Sequence, residues 1–163
     1  MAHRQFITFK LGDDMFGIDI LFVREVNRSL EIRCVDRAPY FVKGLINLRG
    51  QIVTVLDVMV LLGIKARTPG QQGVYIVLKS NAELERLNYL HRRADMWTCD
   101  DIVGLYVDEI GDVISAELTK LQDKHDLGVS SKFLEGIVKL DNQLLPILKP
   151  VEILSMEQEE LLA

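Results

Sequence analysis

Cysteine, histidine, long apolar runs and surplus positive charge are all scarce in this chain, and each scarcity removes a class of protein. Two cysteines in 163 residues, Cys34 and Cys99, cannot build a disulfide scaffold and form no C-x-x-C pair. They read as two reduced thiols of a cytosolic protein. The three histidines, His3, His91 and His125, have no partner at metal-ligand spacing. No G-x-S-x-G, H-E-x-x-H, G-x-x-x-x-G-K-[ST] or G-x-G-x-x-G occurs, so the usual nucleophile, metal and phosphate sites are not expected. Cys34 with a distant histidine, and the neighbours Asp108 and Glu109, come nearest to a catalytic constellation. Adjacent residues of a strand point to opposite faces, so those two carboxylates would not share a site. The chain reads as a binding module without cofactor or metal, not as an enzyme. No apolar run approaches the ~20 residues a membrane helix needs, and the opening MAHRQFITFKLG has no signal-peptide core. Acidic residues outnumber basic ones 24 to 19, for a net charge of −5, and aromatics are only 7%. Both figures disfavour a nucleic-acid-binding β-barrel, which wants clustered Lys/Arg and stacking platforms.

What is there is a repeat. Phe41 to Leu56 reads FVKGLINLRGQIVTVL, and Phe133 to Leu148, at an offset of 92, reads FLEGIVKLDNQLLPIL. Phe41/Phe133, Gly44/Gly136, Leu48/Leu140, Gln51/Gln143 and Leu56/Leu148 are identical, and most other positions exchange one aliphatic residue for another. Each copy reads as strand, tight turn, strand. Arg49-Gly50 makes the first turn, where glycine supplies the positive φ of a two-residue hairpin. Asp141-Asn142 stands in the second, with Asn expected to serve the same conformation. A second pair matches at an offset of 87: Phe16 to Val26 (FGIDILFVREV) and Ile102 to Val113 (IVGLYVDEIGDV), with Gly17/Gly104, Ile20/Val107 and Val26/Val113 equivalent. Both pairs occur in the same order. The expected architecture is therefore two like-built lobes, each a small antiparallel barrel of about five short strands.

The remaining pattern fills in the elements. Gln5 to Leu11 alternates as a half-buried strand, Gly12-Asp13-Asp14 is a turn, and Val74 to Lys79 is a strong strand. Asp57 to Gly63 is a short helical turn stopped by glycine, Thr68 to Gln72 is a loop, and Val151 to Leu162 is a terminal helix with Pro150 at its first turn. Of that helix, Val151, Leu154 and Leu161 are expected to face the lobes. One stretch breaks the symmetry: Asn81 to Asp101 has no counterpart in the first half. Leu84, Leu87 and Leu90 at every third position suggest a short helix there, and Met96 and Trp97 read as exposed. The segment is either a tolerated surface insertion or an extra contact surface.

The residues YFVKGLINLRGQIVTVLDV (Tyr40 to Val58), flanked by FGIDILFVREV and IVGLYVDEIGDV, resemble the CheW family, the coupling proteins of bacterial chemotaxis. The hallmark G-x-x-N-L-R-G-x-I-x-P-V-x-D is met by Gly44, Asn47, Leu48, Arg49, Gly50, Ile52, Val55 and Asp57, with Thr54 in place of the usual proline. The resemblance runs from about Gln5 to Leu154. It implies an all-β fold of two SH3-like five-stranded barrels side by side, with short helices and a C-terminal helix. The unit is a single domain over 4–156 interrupted by an insertion at about 80–101. It also implies a non-catalytic adaptor, cytoplasmic and held at the inner face of the membrane through receptor arrays without inserting itself. Its implied partners are the regulatory domain of the CheA histidine kinase and the cytoplasmic tip of methyl-accepting chemotaxis receptors. By resemblance the receptor groove is lined by Ile7, Ile20, Val23 and Val107. Glu25 and Arg49 form an acid–base coupling pair beside it. The kinase contact involves Ile32, Val35 and Tyr40, with a second contact near Asp126–Leu127. A scaffold of a non-motility chemosensory pathway is the nearest alternative.

Overall fold

The computed structural model describes residues 3–28, 30–64, 72–119 and 129–155. The expectations about Leu161, Asp126–Leu127 and most of the Thr68–Gln72 loop lie outside them. Eleven strands are present: β1 (Arg4–Leu11), β2 (Asp14–Asp19), β3 (Val23–Asn27), β4 (Ile32–Arg33), β5 (Val42–Leu48), β6 (Gln51–Asp57), β7 (Val74–Leu78), β8 (Val103–Val107), β9 (Glu109–Ala116), β10 (Leu134–Lys139) and β11 (Leu144–Leu148). Helix α1 (Val58–Leu61) follows β6, α2 (Asn81–Leu90) lies between β7 and β8, and 3-10 turns cover Ile20–Phe22 and Ser131–Phe133. Residues 150–155 are helical. The chain is mainly β, in two sheets.

The duplication is carried into the backbone pairing. β5–β6 pairs Val42 with Leu56, Gly44 with Val55, Ile46 with Val53 and Asn47 with Ile52. β10–β11 pairs Leu134 with Leu148, Gly136 with Ile147, Val138 with Leu145 and Lys139 with Leu144. Each pair is the other moved by 92 positions, including the bulge just before the shared glycine. The reason for that glycine is the same in both copies. A Cβ on Gly44 would stand 2.3 Å from the Arg33 carbonyl oxygen, and one on Gly136 would stand 2.5 Å from that of Thr119. No side chain fits where a third strand crosses so closely.

The turns do not repeat. Arg49 (φ 51) and Gly50 (φ 86) both lie in the left-handed region, and Asn47 Oδ1 accepts a hydrogen bond from the Gly50 amide at 2.9 Å. Among the described residues the only other non-glycine positive φ angles belong to Arg37 and Arg92. Asn142 therefore turns without one. Its hairpin closes instead by a hydrogen bond from the Leu140 amide to the Gln143 carbonyl at 2.9 Å.

Nor are the lobes the two halves of the chain. One sheet runs β10-β11-β2-β1-β9 and the other β3-β7-β8-β6-β5-β4. Each takes two strands from one repeat and the rest from the other. The exchange creates one parallel ladder in each otherwise antiparallel sheet, β2 with β11 and β6 with β8. These ladders are themselves equivalent, pairing Ile147 with Gly17 and Val55 with Gly104. The chain changes sheets at Ile20–Phe22 and again at Asp108, the positions following β2 and β8. The Asp108 amide donates to the Lys10 carbonyl and its carboxylate accepts from the Gly12 amide, tying β8 to the other sheet at the crossing.

Because of this exchange the two halves of the chain cannot separate without breaking the parallel ladders, and one core lies between the sheets. Ile7, Phe9, Leu11, Phe16 and Ile18 meet Val74, Ile76, Leu78, Val103, Leu105 and Val107 there. The other faces of the same strands bury two smaller clusters, one around Tyr75, Val77, Val53 and Val55, the other around Phe6, Leu145 and Ile147. Strands buried on both faces lose their alternation, which is why VYIVL of β7 is apolar throughout. Each fully buried aromatic or aliphatic side chain contributes about 1.5–3 kcal/mol.

The insertion is folded into this frame. Ser80 and Glu83 form a capping box at the start of α2, Leu84 and Met96 are fully buried, and Asn88 bonds both ways with the Met96 backbone. Met96 therefore corrects the expectation of exposure: the segment returns under its own helix and uses the methionine as its core plug. Leu90, third in the expected apolar row, is exposed, because α2 ends there and the spacing of three drifts off the buried face.

Candidate functional site

The residues expected to form a groove meet at the sheet exchange. Asp19 ends β2 and caps the 3-10 turn, accepting from the Leu21 amide at 2.9 Å. Ile20 opens that turn and packs, half-buried, on the shared core. Val23 opens β3 opposite Leu78. Ile7 lies on β1 between Ile18 and Val113. Val107 ends β8, opposite Val74. All four belong to or pack against the one core cluster between the sheets. The structure does not leave them as an open slot. Val107 is wholly buried, and Ile7 and Val23 are only 7% and 9% exposed. The correction has a plain cause: β8 lies between β7 and β6 with both faces covered, so its side chains are floor, not surface. Of the four, Ile20 is the one that is only half-buried.

Beside it the second sheet curls until its edge strand β3 meets the β5–β6 turn. Arg49 Nη2 donates to a Glu25 carboxylate oxygen at 2.5 Å, and Asn27 donates to the other carboxylate oxygen at 2.9 Å. Arg24 reaches Gln51 on the same hairpin at 3.3 Å and forks onto Glu83 of α2. The expected coupling pair is therefore a formed ion pair, with Arg49 largely exposed and Glu25 half-buried. The hydrogen bond from Arg49 holds the Glu25 carboxyl below the usual glutamate range. A depressed carboxyl pKa stabilises the folded form above the unfolded-state pKa and is lost as pH falls through the folded one. The pair is thus intact at neutral pH and dissolves only in acid.

The three residues expected at the kinase contact differ in placement. Tyr40 is 71% exposed and Val35 is exposed. Ile32 sits in β4 opposite Ile46 and packs, partly buried, on the second sheet's own cluster. Tyr40 stands edge-on to the buried Phe41 ring at 5.3 Å, which fixes its direction outward.

Sequence reasoning missed a buried charge network under Ile20. Asp19, with only 2% of its side chain exposed, accepts from Arg4 at 2.5 and 3.0 Å and from Arg93 at 3.2 Å. Arg4 also bridges to Glu135 at 2.7 Å. Arg93 also bridges to Asp95 at 2.9 Å. This one carboxylate joins β1, β2 and the insertion, and Arg4 extends the network to β10 through Glu135. Its signal in the sequence was an aspartate before an apolar turn, the ordinary mark of a cap; nothing local announced partners 15 and 74 residues away. Sequence reasoning also passed over Ile52 and Leu144, equivalent positions of the two hairpins and both exposed. Among the described residues no cluster of His, Cys, Asp or Glu could hold a metal, and no helix is long and apolar enough to cross a membrane.

Comparison with known proteins agrees with the fold. The model of the CheW-like domain matches residues 5–158. The chemotaxis protein CheW of Klebsiella aerogenes is 29% identical over 95% of this chain and 84% of its own. That of Rhizobium meliloti is 25% identical over 96% and 91%. The crystal structure of the scaffolding protein CheW from Thermoanaerobacter tengcongensis superposes with a TM-score of 0.72 at 26% identity, covering 91% of this chain and 90% of that one.

Proposed function

Since the chain belongs to the CheW family, we propose that it is a non-catalytic chemotaxis adaptor that holds chemoreceptors and a CheA-type histidine kinase together in a signalling array. The observation that carries this reading is the match over 5–158, which spans both sheets and the exchange between them. The receptor's helical tip docks where Ile20 rises from the sheet exchange, and Ile7, Val23 and Val107 keep the floor beneath it rigid. Docking of an apolar helix face on such a surface is helix-in-groove recognition. Arg49, braced by Glu25, stands at the margin and sets the direction of the hairpin. Val35 and Tyr40 supply an exposed apolar and aromatic contact for the kinase, the composition of an interface anchor. The adaptor works at the inner face of the membrane because its receptor is anchored there.

Two variants test the reading. Ile20→Glu places a charge on the docking surface and is expected to abolish capture of a receptor signalling-tip fragment in a pull-down. Arg49→Ala is expected to weaken receptor and kinase coupling while changing stability by no more than about 1 kcal/mol, since exposed pairs contribute little. Full capture of the tip by folded Ile20→Glu protein would remove the receptor surface from this face.

A further inference from the structure

Among the described residues, the three non-glycine residues held at positive φ are all arginines: Arg37 (φ 63), Arg49 (φ 51) and Arg92 (φ 51). That region favours glycine and asparagine, so an arginine there is retained against local preference. Arg37 lies between Val35 and Tyr40, and Arg49 is the coupling arginine. Arg92 lies in the insertion, which the duplicated first half lacks.

Its position is that of a helix stop. α2 ends at Leu90 with His91 as cap. The Arg92 amide bonds to the Tyr89 carbonyl at 3.3 Å and the Arg93 amide to that of Asn88 at 2.8 Å. These are the two closing bonds of a Schellman motif, whose left-handed residue is usually glycine. The motif needs only the backbone, so the guanidinium has no part in making the turn.

The side chains of this segment line a cleft of about 970 Å3 whose opposite wall is β1 and the 3-10 turn. Ile20 and Leu21 line it together with His91, Arg92 and Arg93 of the insertion and with His3 and Arg4 of the first strand. Arg4 and Arg93 have their charges met by Asp19, Glu135 and Asp95. Arg92 makes no ion pair among the described residues and is exposed. The wall that carries it is rigid: Arg93 is fixed to buried Asp19, Glu83 to Arg24, and Lys79 donates to the Leu21 carbonyl at 3.0 Å. The cleft thus presents an unpaired cation, Arg92, next to His91 in the same lining as the half-buried Ile20.

We infer that the 81–101 insertion is a second wall of the docking cleft, which selects an apolar helix whose flank carries acidic side chains through Arg92. The inference rests on the adaptor reading above and names what that docking surface prefers. An acidic side chain on the helix flank meets an unpaired guanidinium at no cost to any existing pair, whereas a neutral one leaves it as it was. The contribution is at the rim of the contact, so it tunes choice of partner more than gross affinity.

The test uses the full chain and a receptor signalling-tip fragment in two forms, native and with the acidic residues flanking its apolar stripe changed to Gln or Asn. Titration calorimetry compares wild type with Arg92→Gly, which supplies the residue the turn prefers. Wild type is expected to bind the acidic tip about two- to fivefold more tightly than the neutralised one, with the gap closing at high salt. Arg92→Gly is expected to lose that preference while melting at the same or a higher temperature, since a merely structural role would not separate binding from stability in this way. Equal binding of both tips by wild type, or an undiminished preference in Arg92→Gly, overturns the selective wall and leaves the adaptor reading intact. Failure of wild type to bind either tip overturns the adaptor reading itself. Binding of anionic lipid vesicles that Arg92→Gly abolishes, with both tips bound equally, would assign the cation to a membrane surface and overturn the inference.

Discussion

Gly44→Ala is expected to destabilise the protein by about 3 kcal/mol or more, and Gly136→Ala by a similar amount. At each site the new methyl group would overlap a backbone carbonyl, at 2.3 Å from Arg33 and 2.5 Å from Thr119. A side chain could rotate away, but a carbonyl fixed in a strand crossing cannot. The Arg33 carbonyl belongs to β4, which pairs Arg33 with Leu45. Thr119 forms the equivalent isolated bridge to Ile137, with hydrogen bonds of 2.8 Å in both directions. Relief of the overlap therefore means breaking that pairing. Gly104→Ala is the control: its Cβ would meet only Val53, Val55 and the Ile76 carbonyl at 3.5–3.9 Å, ordinary contact distances, and should cost about 1 kcal/mol or less. For a chain of this size 1 kcal/mol moves the melting temperature by about 2–4 °C. Scanning calorimetry should show the two bulge variants well below wild type and Gly104→Ala near it. A Gly44→Ala protein melting with the wild type would mean that β4 does not cross the hairpin as described.

Asp19→Ala should carry the second large effect, a loss of about 2–4 kcal/mol. Asp19 is buried and serves Arg4, Arg93 and the Leu21 amide at once. Its removal leaves two partly buried guanidinium groups with less counter-charge and uncaps the turn where the chain changes sheets. Glu135 still holds Arg4, and Asp95 still holds Arg93, which keeps the loss below that of a wholly isolated buried charge. Asp19→Asn keeps the cap acceptor and should lose less. Hydrogen exchange of the amides following Arg93 is expected to quicken in Asp19→Ala, because Arg93 ties the return of the insertion to β2. Unchanged exchange there, with stability lost, would show that the network supports the sheets but not the insertion.

Much of the strand-level structure was legible because it is local. Hydrophobic alternation and the Arg49-Gly50 turn located β5 and β6, and the 92-residue match foretold a pairing register that repeats pair by pair. Equivalence of Ile20 and Val107 also had a physical counterpart, since both stand where the chain leaves a sheet. What was not legible is what depends on partners distant in sequence. A repeat says that two units are alike, not whether a unit's strands stay together, so the exchange of β1–β2 and β7–β8 between lobes left no mark in either copy. The same exchange buries Val107 and makes floor of a residue whose aliphatic character suited a groove equally well. Met96 went unread as core because the insertion's apolar residues follow no helical period after Leu90; its burial comes from the irregular return segment, tied by Asn88 to α2. Asn142 was chosen for a conformation it does not adopt, because the second hairpin closes without a left-handed residue. For the candidate site, Glu25 and Arg49 stand paired as an acid and a base, while Asp19 was visible only as a cap.

The proposed coupling of receptor and kinase runs through the surface around Ile20 and Arg49. Its most direct test is kinase autophosphorylation in receptor-bearing membrane vesicles, measured with CheA-type kinase alone, with wild-type protein, and with Arg49→Ala. Wild type is expected to raise the rate and make it respond to the receptor's ligand, and Arg49→Ala, folded and melting like wild type, is expected largely to fail to do so. A kinase rate indifferent to the wild-type protein, in vesicles whose receptors and kinase are both competent, would contradict the proposed coupling.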